Sequence, residues 1–172
     1  MSTVAVSQLV PAAAAQLWRT FTDLPARDRH LSTVSGVEVL TPGGFAAGTR
    51  WRETRTLPDG ATATEEFLVE AADPPLGCTL TSSGDGADYR ITFRFTPVEV
   101  GRRRGGTVVT AVIEGGPTDA YGRLLALMFG GLAARTAEGA LRREIRDLAA
   151  AACRAAAEPP VDRPVDRPGA AA

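Results

Sequence analysis

Residues 48–75 read GTRWRETRTLPDGATATEEFLVEAADPP, and the order of side chains along this stretch decides the architecture. Two alternating runs flank a Pro-Asp-Gly turn. Proline suits the first position of a type I turn, and Gly60 supplies the left-handed residue of a G1 bulge, so the pattern predicts a three-residue hairpin loop. That loop fixes a register. Leu57 falls opposite Ala61, Arg55 opposite Ala63, Glu53 opposite Glu65, Trp51 opposite Phe67 and Thr49 opposite Val69. On the other face Thr56 meets Thr62, Thr54 meets Thr64, Arg52 meets Glu66 and Arg50 meets Leu68. Thr–Thr and Arg–Glu are good solvent-face pairs, and Trp51 with Phe67 and Val69 makes a good buried face. A slip by one residue would mix the faces and lose both sets.

Working outward, Thr3–Val10, Val34–Leu40, Leu76–Ser82, Tyr89–Thr96 and Thr107–Glu114 also read as strands, each bounded by turn-forming residues such as TPGG, DPPLG, SGDGA and GRRRGG. Six consecutive strands with short connections, from Val34 onward, demand an antiparallel meander. Between the first strand and the second, Pro11 opens AAAAQLWRTFTD, a short helix with Leu17, Trp18 and Phe21 on one face. DLPARDRHLS then predicts a second short turn or helix. After Pro117 the period changes from two to about three and a half. Leu124, Leu127, Met128 and Leu132 form an apolar stripe that Leu141, Ile145 and Leu148 continue, with Arg142, Arg143 and Arg146 on the wet side. This is one long helix, with Gly130 and Gly131 as the place where it would bend. The fold class is α+β, a curved antiparallel sheet wrapped around a long C-terminal helix, with the domain over residues 1–157. Residues 158–172 repeat VDRP, are rich in proline and alanine, and read as a disordered tail.

The hairpin register carries chemistry. Glu53, Glu65 and Arg55 share the concave face with Trp51 and Phe67. Facing carboxylates repel unless one is protonated or a cation intervenes, and Arg55, one pleat away, is such a cation. Burying ions costs several kcal/mol each as an order of magnitude, so a trio on the inner face points to a ligand site; the alternative is that the groups sit solvated at the open mouth of the sheet. In YRITFRF, Tyr89, Ile91, Phe93 and Phe95 share a face. The Tyr89 phenol can donate to a ligand carbonyl or simply pack at the rim. The candidate ligand-binding residues are Trp51, Glu53, Arg55, Glu65, Phe67, Tyr89, Phe93, Leu124 and Met128, with Glu53, Glu65 and Arg55 as the catalytic candidates.

Composition removes other chemistries. All 19 basic residues are arginine, which excludes Schiff-base and lysine general-base mechanisms. His30 is the one histidine, read as a surface residue, and Cys78 and Cys153 read as small hydrophobes. No metal site or cofactor motif is expected, and no nucleophile elbow, phosphate loop or dinucleotide pattern occurs. GRRRGG reads as a solvated basic turn. A net charge of −1 gives no reason to expect nucleic acid. With no signal peptide and no apolar run long enough to span a bilayer, the expectation is a cytoplasmic protein without membrane insertion.

Five stretches together resemble the START-like, or SRPBCC, superfamily in its polyketide cyclase/dehydrase branch: VPAAAAQLWRTFTDL, GVEVL with GTRWRETR, EFLVEAADPP, YRITFRFTPV and GGTVVTAVIEGG. The resemblance spans about Thr3 to Ala152. It implies the helix-grip fold, with a deep and mostly apolar cavity between sheet and long helix, in which relatives hold polyketides, lipids, sterols or other hydrophobic molecules. Some relatives cyclise or aromatise polyketide chains and many only bind or carry. Three readings follow. The first is a binding protein for a hydrophobic or aromatic small molecule, polyketide- or lipid-like. The second is a cyclase or dehydratase using Glu53 or Glu65 as acid/base with Arg55. The third is a ligand-free interaction module, for instance a homodimer joined through an exposed strand.

Overall fold

Strand β3 (Arg50–Thr56) pairs with β4 (Thr62–Asp73) in the register that the turn chemistry requires: Trp51 lies opposite Phe67, Glu53 opposite Glu65 and Thr54 opposite Thr64. Gly60 has φ of +85°, the left-handed conformation expected of the residue that closes the loop. This is a computed structural model; it describes residues 2–56, 60–84, 87–117 and 120–157, and the side chains of residues 2, 83–87 and 116–134 stand outside that description. The tail from residue 158 and the turn residues 57–59 likewise lie outside the described residues.

Around this hairpin the meander is complete. β1 (Ser2–Val10), β2 (Val34–Val39), β5 (Gly77–Gly84), β6 (Ala87–Pro97) and β7 (Thr107–Pro117) join β3 and β4 in one antiparallel sheet of seven strands, ordered β1-β7-β6-β5-β4-β3-β2. The last strand returns to lie beside the first, so β1 and β2 form the two edges. Alternation sorts the side chains as it must in a sheet covered on one side. Trp51, Phe67, Val69, Leu80, Phe93, Phe95, Val109 and Ala111 are buried. On the opposite face, Arg52 pairs with Glu38 at 2.9 Å and Glu66 at 3.4 Å, and the Thr54 and Thr64 hydroxyls lie 3.2 Å apart.

Helices cover the inner face. α1 (Ala14–Thr22) buries Leu17 and Phe21; a 3-10 turn over Leu24–Ala26 leads into α2 (Arg27–His30). α3 is a continuous helix over Ala120–Ala157 that packs on α1, α2, β1 and β7. Leu141, Ile145 and Leu148 are buried while Arg142, Arg143 and Arg146 are exposed, as their spacing predicts. None of the described helices is long and apolar enough to cross a membrane.

A second aromatic layer, visible in the sequence only as separate residues, packs inside the sheet. The Phe21 ring lies 4.8 Å from that of Phe93 and 5.8 Å from that of Phe95, and Phe45 makes edge contacts with both Trp18 and Phe21. Rings at these separations and tilts are mutually attractive beyond the area they bury.

Candidate functional site

Glu53 is fully buried, and it is the centre of an ion network rather than a free acid. Its Oε1 accepts from Arg27 Nε and, at 2.8 Å, from Trp51 Nε1; its Oε2 accepts from Arg55 Nε at 2.9 Å and lies 2.7 Å from Arg55 Nη2. Each arginine then reaches Glu144 on α3 at 3.3 Å, so Arg27–Glu53–Arg55–Glu144 closes into a ring of alternating charge. Arg27 also donates to the Phe21 carbonyl at 3.3 Å, and its guanidinium lies 5.3 Å from the Phe21 ring centre and 5.8 Å from that of Trp51. A buried ion pair is stable only when its remaining donors and acceptors are also satisfied. Here the indole, a backbone carbonyl and two aromatic faces do that.

The ring separates the two carboxyls that the hairpin sets opposite each other. Burial alone would push Glu53 up, but Arg27 and Arg55 beside it, with the Trp51 and Arg27 hydrogen bonds, outweigh burial and hold it below the ordinary carboxylate range. Burial likewise opposes the charge on Arg55, yet Glu144 and Glu53 keep its guanidinium even more firmly protonated than usual. Glu65 goes the other way. Partial burial raises it, Arg55 lowers it and the negative charges of Glu53 and Glu144 raise it further; the net direction is up. Among the described residues the Glu65 side chain makes no hydrogen bond or ion pair.

Next to the ring lies a cavity of about 200 Å³ between the sheet and α3. Arg27, Arg55, Glu65 and Glu144 form its polar end, and Trp51, Phe67, Leu80, Ile91, Phe93, Ile113 and Leu141 its apolar walls, with Ala140 at the α3 side. Five of the nine residues expected at the site therefore line one space: Trp51, Arg55, Glu65, Phe67 and Phe93. Glu53 does not; it stands behind the wall and fixes the two arginines. Tyr89 is also displaced from the expectation. It shares a strand face with Phe93, but lies two pleats further along, is 39% exposed and does not line this cavity. Its ring lies over Gly115, where a Cβ would come within 2.6 Å of Tyr89 Cδ1. The side chains of Leu124 and Met128 lie outside the described residues.

Arg27 and Glu144 were not singled out in the sequence, although both carry a periodic signal. Leu24, Arg27 and Leu31 are spaced three and four residues apart, which puts Arg27 on the apolar side of its segment; Glu144 lies between Leu141 and Leu148 with the same spacing. His30 corrects another expectation. It is half-buried rather than a surface residue, and its Nδ1 is enclosed without a hydrogen-bond partner among the described residues. Burial pushes the Cys78 thiol up to about 12 despite the nearby Arg27 charge, consistent with its reading as a small hydrophobe, while Cys153 is exposed. Among the described residues no group of histidine, cysteine or carboxylate side chains could hold a metal ion.

The order of elements, the meander closed by its first strand and the interior space under a long final helix are those of a helix-grip protein. The model of the family described as "Polyketide cyclase / dehydrase and lipid transport" matches residues 1–152. The chain belongs to that family. Among solved structures it is similar to TTHA0849 from Thermus thermophilus, with a TM-score of 0.70 and 20% identity over 90% of this chain and 99% of that one. A START superfamily protein from Mycobacterium smegmatis gives a TM-score of 0.70 at 13% identity, covering 89% of this chain and 98% of that one. The di-domain ARO/CYC BexL from the BE-7585A biosynthetic pathway gives 0.65 at 16% identity, covering 92% of this chain and 51% of that one. At these identities the likeness shows the fold. No match is found among the curated proteins.

Proposed function

We propose that the protein binds a hydrophobic or aromatic small molecule in the space between sheet and α3, with the ligand's polar end toward Arg55 and Glu65. The observation that carries this reading is the cavity itself: apolar walls converge on a few placed polar groups, the usual make-up of a small-molecule site. A dry cavity of about 150 Å³ already accepts benzene, so about 200 Å³ suits one ring with a short substituent. A ligand-free module would favour an interior collapsed around alanine and glycine, whereas the described residues leave about 200 Å³. The test uses Ala140, which lines the cavity from an exposed position on α3. Acetophenone should quench the fluorescence of Trp51 in a saturable manner, and Ala140→Phe should abolish that saturation without lowering the melting temperature. Equal titrations of the two proteins would overturn the reading.

The second reading, a cyclase or dehydratase, draws on the raised Glu65 carboxyl beside the Arg55 guanidinium. A carboxyl tuned upward can move a proton near neutral pH, and a neighbouring cation can stabilise an enolate. Glu53 leaves this scheme, since it is ionised and fully engaged. Turnover of a poly-β-keto thioester that Glu65→Gln abolishes while acetophenone still binds would favour this reading over simple binding.

A further inference from the structure

Taking the binding site above as given, we propose that its ligand carries a protonated amine on a ring-sized apolar body, with the ammonium against Glu65 and the ring against Trp51, Phe67 and Phe93. Among the described residues, an ionised Glu65 leaves the charges around the cavity one negative in excess. Glu53 and Glu144 offset Arg27 and Arg55, pair by pair, around the closed ring. Glu65 is a third carboxylate, it lines the cavity, and no described residue makes an ion pair with it. A charge in an apolar space is tolerated when it is paired and hydrogen-bonded, and an ammonium with its three donors fits a single carboxylate.

The walls point the same way. The aromatic rings Trp51, Phe67 and Phe93 beside Glu65 supply the apolar contact for the ligand's ring. Trp51 and Phe67 stack with ring centres 5.2 Å apart and line the space together with Phe93, so a ligand ring packs against their edges while its amine reaches one pleat along β4 from Phe67 to Glu65. A ligand carboxylate finds the reverse: both guanidiniums at the polar end are already neutralised, and Glu65 and Glu144 are its neighbours. Like charges repel more strongly where solvent is scarce.

Three probes of one shape separate the outcomes: benzylamine, benzyl alcohol and benzoate, titrated calorimetrically into the full chain at neutral pH. Benzylamine should bind about tenfold tighter than benzyl alcohol or better, a difference of about 1.4 kcal/mol, with benzoate the weakest. In Glu65→Gln, benzylamine should drop to the affinity of benzyl alcohol, and benzyl alcohol itself should be unchanged. If benzyl alcohol or benzoate equals benzylamine in the wild type, or if Glu65→Gln keeps the preference for the amine, the charge selectivity is overturned and the cavity reading stands. If none of the three binds, both fall.

Discussion

At one end of the interior the Phe21 ring touches those of Trp18, Phe45, Phe93 and Phe95, and the space is filled. Beyond Phe93, which borders both regions, four charged side chains close a ring beside an opening of about 200 Å³. The first is covered by α1, the second by α2 and α3. The filled end contributes stability through area and contact, and can be repacked with modest loss. The charged end contributes through complementarity, so removing one member leaves an odd charge among three enclosed groups. A ligand finds room beside the groups that cannot collapse, because charges held by mutual geometry do not flow into a void as aliphatic side chains do.

The largest effect should come from breaking the ring. Glu53→Ala leaves the buried Arg27 with only its longer contact to Glu144 and puts two cations against one carboxylate, and is expected to cost about 3–5 kcal/mol in urea unfolding. Replacing both partners, Arg27→Met with Glu53→Leu, should recover part of that loss, since no isolated charge then remains deep in the fold. A double variant less stable than Glu53→Ala would argue that the ring is held by something other than charge pairing. At the filled end Phe21→Leu should cost less, about 1–2 kcal/mol, and leave acetophenone binding intact.

How far the sequence reached follows the same division. The β3–β4 register was legible because the turn and both faces constrain it together: a shift by one residue would have put Trp51 outside and Arg52 inside. The α3 stripe was legible from Leu141, Ile145 and Leu148. Arg27 and Glu144 escaped because a charged residue at an apolar spacing looks like a break in the stripe, and its meaning depends on a partner 26 or 117 positions away. RREIRD around Glu144 reads as a solvated run until the three-and-four spacing to Leu141 and Leu148 is given priority over the residue types. Tyr89 shows the converse error. Alternation placed it on the correct face but carries no information about how far along the strand the covered interior extends.

Acid titration should set the two facing carboxyls apart by sign. Glu53 is depressed in the folded protein, so its contribution to stability is present above the unfolded carboxylate value and is lost as pH falls through its own lower value. Glu65 is raised, so the folded state holds that proton more tightly than the unfolded chain, and stability declines as pH rises through the raised value. Melting temperatures from pH 4 to 8 should show Glu65→Gln gaining on the wild type as pH increases. A constant difference across that range would mean that Glu65 titrates as an exposed glutamate does.

The smallest effect belongs to a residue that differs from Arg55 mainly in which way it faces. Arg52 and Arg55 lie three positions apart on β3, and each contacts two carboxylates, Glu38 and Glu66 for the first, Glu53 and Glu144 for the second. Arg52 does so in water, where screening and side-chain entropy cancel most of the attraction, so Arg52→Ala should change stability by only about 0–1 kcal/mol, an effect that fades in high salt. Arg55→Ala removes a cation from between two carboxylates that bulk water barely reaches, and should cost several times as much with little salt dependence. Paired urea titrations of both variants at low and high ionic strength therefore measure what enclosure adds to an arginine–glutamate pair. Similar, salt-sensitive losses at both positions would mean that water enters the polar end of the cavity freely, and the reason for expecting a ligand there would weaken accordingly.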